Sequence, residues 1–268
     1  IPAAMARLPA SLGSGLRRLG LQRGPWLALR MRHIVNDHIA RTHHFLSLAD
    51  RVIAPCLWVA DLLLANGVPA ERLRLCRQGL AHPLPAGDPP VPRLPGVPLR
   101  LGFFGRLDPT KGIDLLIEAM RLIPQSLVEL YIYGVSQEGS DRFRQQLLSR
   151  AKHDHRISFQ PALTAERVLA AMQHLDLVLV PSLGLETGPL VVLEASAVGV
   201  PVLGSDRGGI AELLQSGASG LLLPPGDAGA WAKAIAQLVA DPGPIQLWRR
   251  AIKKPRTMTD VAIEMAGY

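Results

Sequence analysis

Residues 175–204 read L-D-L-V-L-V-P-S-L-G-L-E-T-G-P-L-V-V-L-E-A-S-A-V-G-V-P-V-L-G, and their reading decides the fold. Leu175–Val180 and Pro201–Gly204 are short apolar runs with the length and β-branched content of buried strands. Between them lie a glycine-containing loop and a helix. Pro189 suits the first helical position, where its missing N–H would have no intrahelical partner. Gly199 suits the C-terminal cap. Leu190, Val191, Val192, Leu193, Ala195, Ala197 and Val198 leave this helix no polar face, and such a helix is expected to be buried. Glu194 is its only charge. A buried carboxylate requires a polar partner, from the protein or from a ligand.

The same alternation extends outward on both sides. Strands are expected at Leu99–Phe104, Leu127–Tyr133, Arg156–Phe159 and Leu221–Leu223. Helices are expected at Ile113–Ile123, Asp141–Lys152, from a Thr164 cap to Gln173, at Gly208–Leu214 and from an Asp227 cap to Val239. Apolar strands alternating with helices imply a doubly wound, Rossmann-like α/β domain whose parallel sheet is covered on both faces. Before it, a helix from Pro25 toward Leu48, a strand at Arg51–Ala54, a helix from Pro55 to Gly67 and a strand at Leu73–Cys76 form a smaller region. The stretch H-P-L-P-A-G-D-P-P-V-P-R-L-P-G-V-P, His82 to Pro98, has too much proline for regular structure and reads as a linker. The expected layout is therefore 1–81, linker 82–98, main domain 99–244 and helical tail 245–268.

The chain has 268 residues, 48% of them apolar, and is expected to fold as one large or two modest domains. Its mean hydropathy of +0.20 argues against disorder. No run of eighteen uncharged apolar residues occurs, so no membrane-spanning helix is expected. Residues 1–16 lack the continuous apolar core of a secretory signal. Cys56 and Cys76 have no metal-type spacing and read as buried thiols in a reducing, cytoplasmic compartment.

Net charge is +7, and Arg7, Arg17, Arg18, Arg23, Arg30 and Arg32 all precede the first acid, Asp37. Two readings stand: a solvated basic helix face, or a segment lying on an anionic membrane surface. Few aromatics and no recognisable binding motif argue against nucleic acid. His153-Asp154-His155 has no partner cluster and reads as a solvated turn rather than a metal site.

Parallel α/β sheets bind ligands beyond the carboxyl ends of their strands. Three loops lie on that edge. G-R-L-D-P-T-K-G, Gly105 to Gly112, places Arg106 and Lys111 before a helix N-terminus, a combination suited to a phosphate or diphosphate. It is not a Walker loop, and alone it reads more readily as a surface turn with two solvated cations. The second loop carries Glu186 and the backbone amides of Thr187, Gly188 and Leu190. The third, S-D-R-G-G-I-A-E from Ser205 to Glu212, offers a tight turn at Gly208-Gly209 that can wrap a ligand. Its Asp206 and Glu212 can equally cap and pair.

Taken together these motifs resemble the donor-binding half of a GT-B glycosyltransferase, most closely the retaining family 4 group. The matching elements are F-x-G-R-x-x-x-x-K-G from Phe103 to Gly112, E-x7-E at Glu186 and Glu194, D-x-G-G-I-x-E-L from Asp206 to Leu213, and S-G-L-L-L-P-P-G-D ending at Asp227. The resemblance covers residues 50–240. It implies that Gly105, Arg106 and Lys111 hold the diphosphate of a nucleotide sugar and that Glu194 accepts hydrogen bonds from the ribose. Glu186 would contact the sugar, and the amides of Thr187, Gly188 and Leu190 would approach the phosphates. Arg106, Lys111 and Glu186 are the implied catalytic residues. No cofactor or metal is implied, because the two cations stabilise the leaving diphosphate. Many family members carry glycine where this chain has Pro189, which has no N–H to donate.

The family's acceptor half normally precedes the donor half and is longer than the residues before the linker here. Residues 1–81 match only its last portion, so an incomplete N-terminal α/β domain is expected. The family's early glycine-rich loop and histidine have no match. His33, His38, His43 and His44 read as surface or helix-packing residues. The stretch W-R-R-A-I-K-K-P-R-T-M-T-D-V-A-I-E-M-A-G-Y resembles the family's tail, which crosses back onto the first half. The resemblance implies transfer of a sugar to a glycan or lipid-linked acceptor with retention of configuration. Two other readings are a nucleotide-sugar-binding module without transfer activity and, with less support, an epimerase of the same fold. The expected location is cytoplasmic, with peripheral contact at the inner face of a membrane.

Overall fold

The computed structural model describes residues 15, 19, 25–81, 96–136, 141–214 and 217–268. Chain contacts divide it into two compact units, 1–53 with 61–74, and 54–60 with 75–268. Most of the proline-rich stretch (82–95) and the early arginines Arg7, Arg17, Arg18 and Arg23 lie outside the described residues. The boundaries at Ala54 and Leu75 differ from those read off the proline-rich stretch.

The N-terminal region contains α1 (Pro25–Ser47), β1 (Val52–Ala54), α2 (Leu57–Ala65) and β2 (Leu73–Leu75), with β1 and β2 forming a two-stranded sheet. His38, His43 and His44 are exposed on α1.

The larger unit carries β3 (Leu99–Arg106), α3 (Ile113–Leu122), β4 (Val128–Val135), α4 (Asp141–Ala151), β5 (Ile157–Gln160) and α5 (Ala165–Gln173). It continues through β6 (Leu177–Val180), α6 (Leu190–Ala197), β7 (Val202–Ser205), α7 (Gly208–Leu213), β8 (Gly220–Leu223) and α8 (Ala228–Ala240). All six strands are parallel, in the order β5-β4-β3-β6-β7-β8. This is the doubly wound arrangement expected from the sequence. The chain runs outward in both directions from the adjacent pair β3 and β6, which makes their carboxyl ends the crevice where such sheets take ligands.

Strand alternation sends side chains to two cores. Leu99, Leu101, Phe103, Leu177 and Leu179 join α3 and α8 on one face, around the fully buried Trp231. Val178, Val180 and Val202 join Val192, Ala195 and Ile210 of α6 and α7 on the other. Each fully buried side chain of this kind contributes about 1.5–3 kcal/mol. Asp227 caps α8 by accepting from Ala230 N at 2.9 Å, as the sequence suggested. Thr164 precedes α5 without a side-chain cap bond. Both cysteines are free and buried.

The helical tail consists of α9 (Gly243–Ala251) and α10 (Met258–Ala266). α10 opens with a capping box between Thr257 and Asp260. Just before it, Leu80 bridges Thr257 in parallel, with Leu80 N donating to Arg256 O at 2.8 Å and Met258 N to Leu80 O at 3.0 Å. A Cβ at Gly79 would stand 2.3 Å from the Thr257 carbonyl oxygen, so the close crossing depends on that glycine.

Candidate functional site

The first loop is built to hold its cations at the end of β3. Asp108 accepts from Thr110 N at 2.8 Å and caps a single 3-10 turn over Pro109–Lys111. Hydrogen bonds from Thr110 hold the Asp108 carboxyl below its ordinary range. Gly112 then takes the left-handed conformation, φ +70°, and starts α3. A Cβ there would lie 2.2 Å from the carbonyl oxygen of Pro181, the first residue of the second loop. Glycine is thus required twice at this position, for its dihedral and for the close approach.

The loops are laced to one another through backbone atoms. Leu183 N donates to Thr110 O at 2.7 Å, tying the second loop to the first. The Arg207 guanidinium donates to Leu183 O at 2.6 Å, and Gly209 N to Glu186 O at 2.7 Å, tying the third to the second. The carbonyl of Glu186 also accepts from the indole Nε1 of Trp58 at 2.9 Å. With two N–H donors on one carbonyl oxygen, the Glu186 backbone is held tightly.

These loops frame a pocket of about 360 Å³ at the carboxyl ends of β3 and β6. Gly105, Arg106, Lys111, Glu186, Gly188, Leu190 and Glu194, all candidates from the sequence, line it together. The Lys111 Nζ donates to Glu186 Oε1 at 2.6 Å, an ion pair joining the residue assigned to phosphate with the residue assigned to sugar. The ring of Phe104 also lines the pocket and stacks on Tyr133, centroids 4.6 Å apart and planes within 5°. Burial pushes the Tyr133 hydroxyl pKa up.

Two sequence readings need correction, the burial of Glu194 and the place of the third loop. Glu194 is half-buried rather than buried, because α6 is not enclosed on all sides. Leu190 is 48% exposed, and the side of the helix bearing Glu194 opens on the pocket. Thr187 is exposed and lines not the main pocket but a narrow gap beside Gln78 and Glu212. The third loop does not wrap the main pocket: none of Ser205–Glu212 lines it. That loop instead supports the Glu186 backbone from behind. A Cβ at Gly209 would stand 2.7 Å from the Glu186 carbonyl oxygen. The capping reading of Glu212 holds. Its carboxylate accepts from Leu57 N at 2.7 Å and Trp58 N at 3.0 Å at the N-terminus of α2, with the Arg77 guanidinium 3.6 Å away.

Sequence reasoning missed Trp58 and Phe104 as site residues. A lone tryptophan at a helix start carries no signal of its own, whereas Phe104 stood inside the first motif. His153-Asp154-His155 forms no metal cluster: among the described residues no group of three or more potential ligands is placed to hold an ion. The Asp154 carboxyl is taken by the Arg156 guanidinium at 2.6 Å, which holds its pKa below the ordinary value. Among the described residues, no helix is long and apolar enough to cross a membrane.

Comparison with known proteins gives this geometry a family. Residues 89–258 match the family model described as glycosyl transferases group 1. The chain is 30% identical to the amylovoran biosynthesis glycosyltransferase AmsK of Erwinia amylovora, over 90% of this chain and 62% of that one. Its backbone is similar to the sucrose-phosphate synthase of Thermosynechococcus elongatus, with a TM-score of 0.72 and 28% identity, over 87% of this chain and 60% of that one. The crystal structure of Anabaena Alr3699/HepE in complex with UDP and glucose shares the fold, with a TM-score of 0.70 and 23% identity, over 82% of this chain and 62% of that one. The chain spans between 32% and 62% of the length of the curated relatives it matches.

Proposed function

The chain belongs to the glycosyl transferases group 1 family, and on that premise we propose that its pocket binds a nucleoside-diphosphate sugar for retaining, family 4 type transfer to a glycan or lipid-linked acceptor. The observation that carries this reading is the meeting of Arg106, Lys111, Glu186 and Glu194 in one pocket at the carboxyl ends of β3 and β6. Two cations suit a diphosphate, and two carboxylates suit hydroxyl donors on either side of it. The HepE neighbour, solved with UDP and glucose, supports a ligand of this class.

In this reading the amides of Gly188 and Leu190, at the N-terminus of α6, approach the phosphates. Pro189 precedes the helix as its N-cap rather than opening it, and has no N–H to offer a phosphate. Glu194, one helical turn further on, accepts from the ribose hydroxyls, and Glu186 from the sugar. Negative charge grows on the diphosphate as the glycosidic bond breaks. Arg106 and Lys111 stabilise that charge without a metal. The acceptor hydroxyl then attacks from the face the diphosphate leaves. The basic segment before Asp37 would carry the protein to an anionic membrane surface at the cytoplasmic face, close to a lipid-linked acceptor.

A thermal-shift panel of nucleoside diphosphates and their sugars tests the donor site. Stabilisation by one base series is the expected result, and no shift with any of them would remove the basis for the reading. The second reading, a module that holds the donor without transferring sugar, predicts the same shifts. Turnover of the bound donor with an added acceptor separates the two.

A further inference from the structure

The Lys111–Glu186 pair has a consequence for what the site prefers to hold. The cation is already satisfied by a carboxylate at 2.6 Å, and both side chains are about one-fifth exposed, Lys111 21% and Glu186 22%. The carboxylate cannot retreat by moving its backbone, because the Glu186 carbonyl is bonded to Trp58 Nε1 and to Gly209 N. Any anion that reaches Lys111 while the pair is closed therefore arrives beside a negative charge 2.6 Å from the cation.

We infer that Glu186 makes this pocket discriminate a sugar-bearing nucleoside diphosphate from the bare nucleoside diphosphate left after transfer; the inference rests on the proposed donor site. Lysine offers three N–H donors, so a phosphate oxygen can join the carboxylate on Nζ. The two anions then repel across a few ångströms in a partly buried site. A sugar on the terminal phosphate offsets this in two ways. It removes a negative charge from that phosphate, and its hydroxyls donate hydrogen bonds to the Glu186 carboxylate. A bare diphosphate does neither: its terminal phosphate carries more charge and brings no donor to Glu186. The pair therefore favours entry of the substrate and release of the product from one cation. Neutralising Glu186 should remove the repulsion while costing the sugar its acceptor.

The test is titration calorimetry of the chain, Glu186→Gln and Glu186→Asp with UDP, UDP-glucose, GDP and GDP-mannose at low salt. In the base series that binds, the wild type should hold the nucleotide sugar tighter than the bare diphosphate. Glu186→Gln should tighten the bare diphosphate ~10-fold and weaken the sugar form, reversing the preference; that magnitude is the scale of one like charge removed at close range in a partly screened site. Glu186→Asp keeps the charge, so the bare diphosphate should stay weak. If Glu186→Gln changes both ligands by the same factor, or Glu186→Asp tightens the bare diphosphate as Glu186→Gln does, the inference is overturned while the donor site stands. If the wild type binds none of the four, the donor site falls and the inference with it.

Discussion

β3 and β6 carry charged groups at both ends, and the two ends use them in opposite ways. At the amino ends, Asp176 is 1% exposed and accepts from Arg100 N at 2.9 Å and from the guanidinium groups of Arg100 and Arg249 at 3.2 Å. Burial holds the Arg249 pKa below its ordinary value, with the Asp176 charge opposing that shift. At the carboxyl ends, Lys111 and Glu186 also pair, but both remain accessible from a pocket. The first cluster binds α9 to the sheet. The second can be reached by a ligand. Like residue types thus serve cohesion where the surrounding elements close over them and stay accessible where glycine-containing loops hold the backbone back.

The sharpest way to break this contrast is at Asp176. Asp176→Ala removes the buried carboxylate that Arg100 and Arg249 share and should cost about 3–5 kcal/mol of stability, the scale of removing one partner from a buried pair. Urea unfolding would measure it, and nucleotide-sugar affinity of the folded fraction should be unchanged. A variant that unfolds at the wild-type midpoint would show that the amino-end cluster is dispensable. Lys111→Ala should do the reverse. Sugar turnover with an added acceptor should fall by ~10²-fold or more, the scale of losing one preorganised charge-stabilising contact, with little change in unfolding. Wild-type turnover in that variant would remove Lys111 from the mechanism.

Smaller effects sharpen the comparison. Trp58→Phe keeps an aromatic ring, though a smaller one, and removes one of two donors to the Glu186 carbonyl. It should cost about 1 kcal/mol in nucleotide-sugar affinity, the net worth of an ordinary hydrogen bond. A loss confined to stability, with affinity intact, would mean that the indole does not position the loop. Leu190→Ser should change neither stability nor affinity by more than about 0.5 kcal/mol, since the exposed side chain contributes little and the proposed contact is its backbone N–H. A large affinity loss there would place the side chain itself against the ligand.

Much of the larger unit was legible because its signals are local. The strands at β3 and β6, the helix stop at Gly199 and the Asp227 cap follow from apolar runs, a left-handed glycine and a short polar side chain. Arg106, Lys111 and Glu186 were legible in the loops after strands and Glu194 as the one charge of an apolar helix, and the four line one pocket. The expected burial of Glu194 failed because composition shows how apolar a helix is, not which side another element leaves uncovered. The third loop was misplaced for a related reason. Its glycines mark a tight turn, but whether that turn meets a ligand or the Glu186 backbone depends on how far the second loop reaches.

The sequence by itself determined a parallel α/β domain, the three loops at one sheet edge and the residue types that a phosphate and hydroxyls would need. These rest on patterns spanning a few residues. Only the tertiary structure decided that Lys111 rests on Glu186 across 75 positions, that Trp58 holds the Glu186 carbonyl across 128, and that Glu212 caps α2 from 155 residues away. Such contacts depend on strand order and loop closure, which bring distant backbones to within a hydrogen bond of each other. No local pattern records that distance.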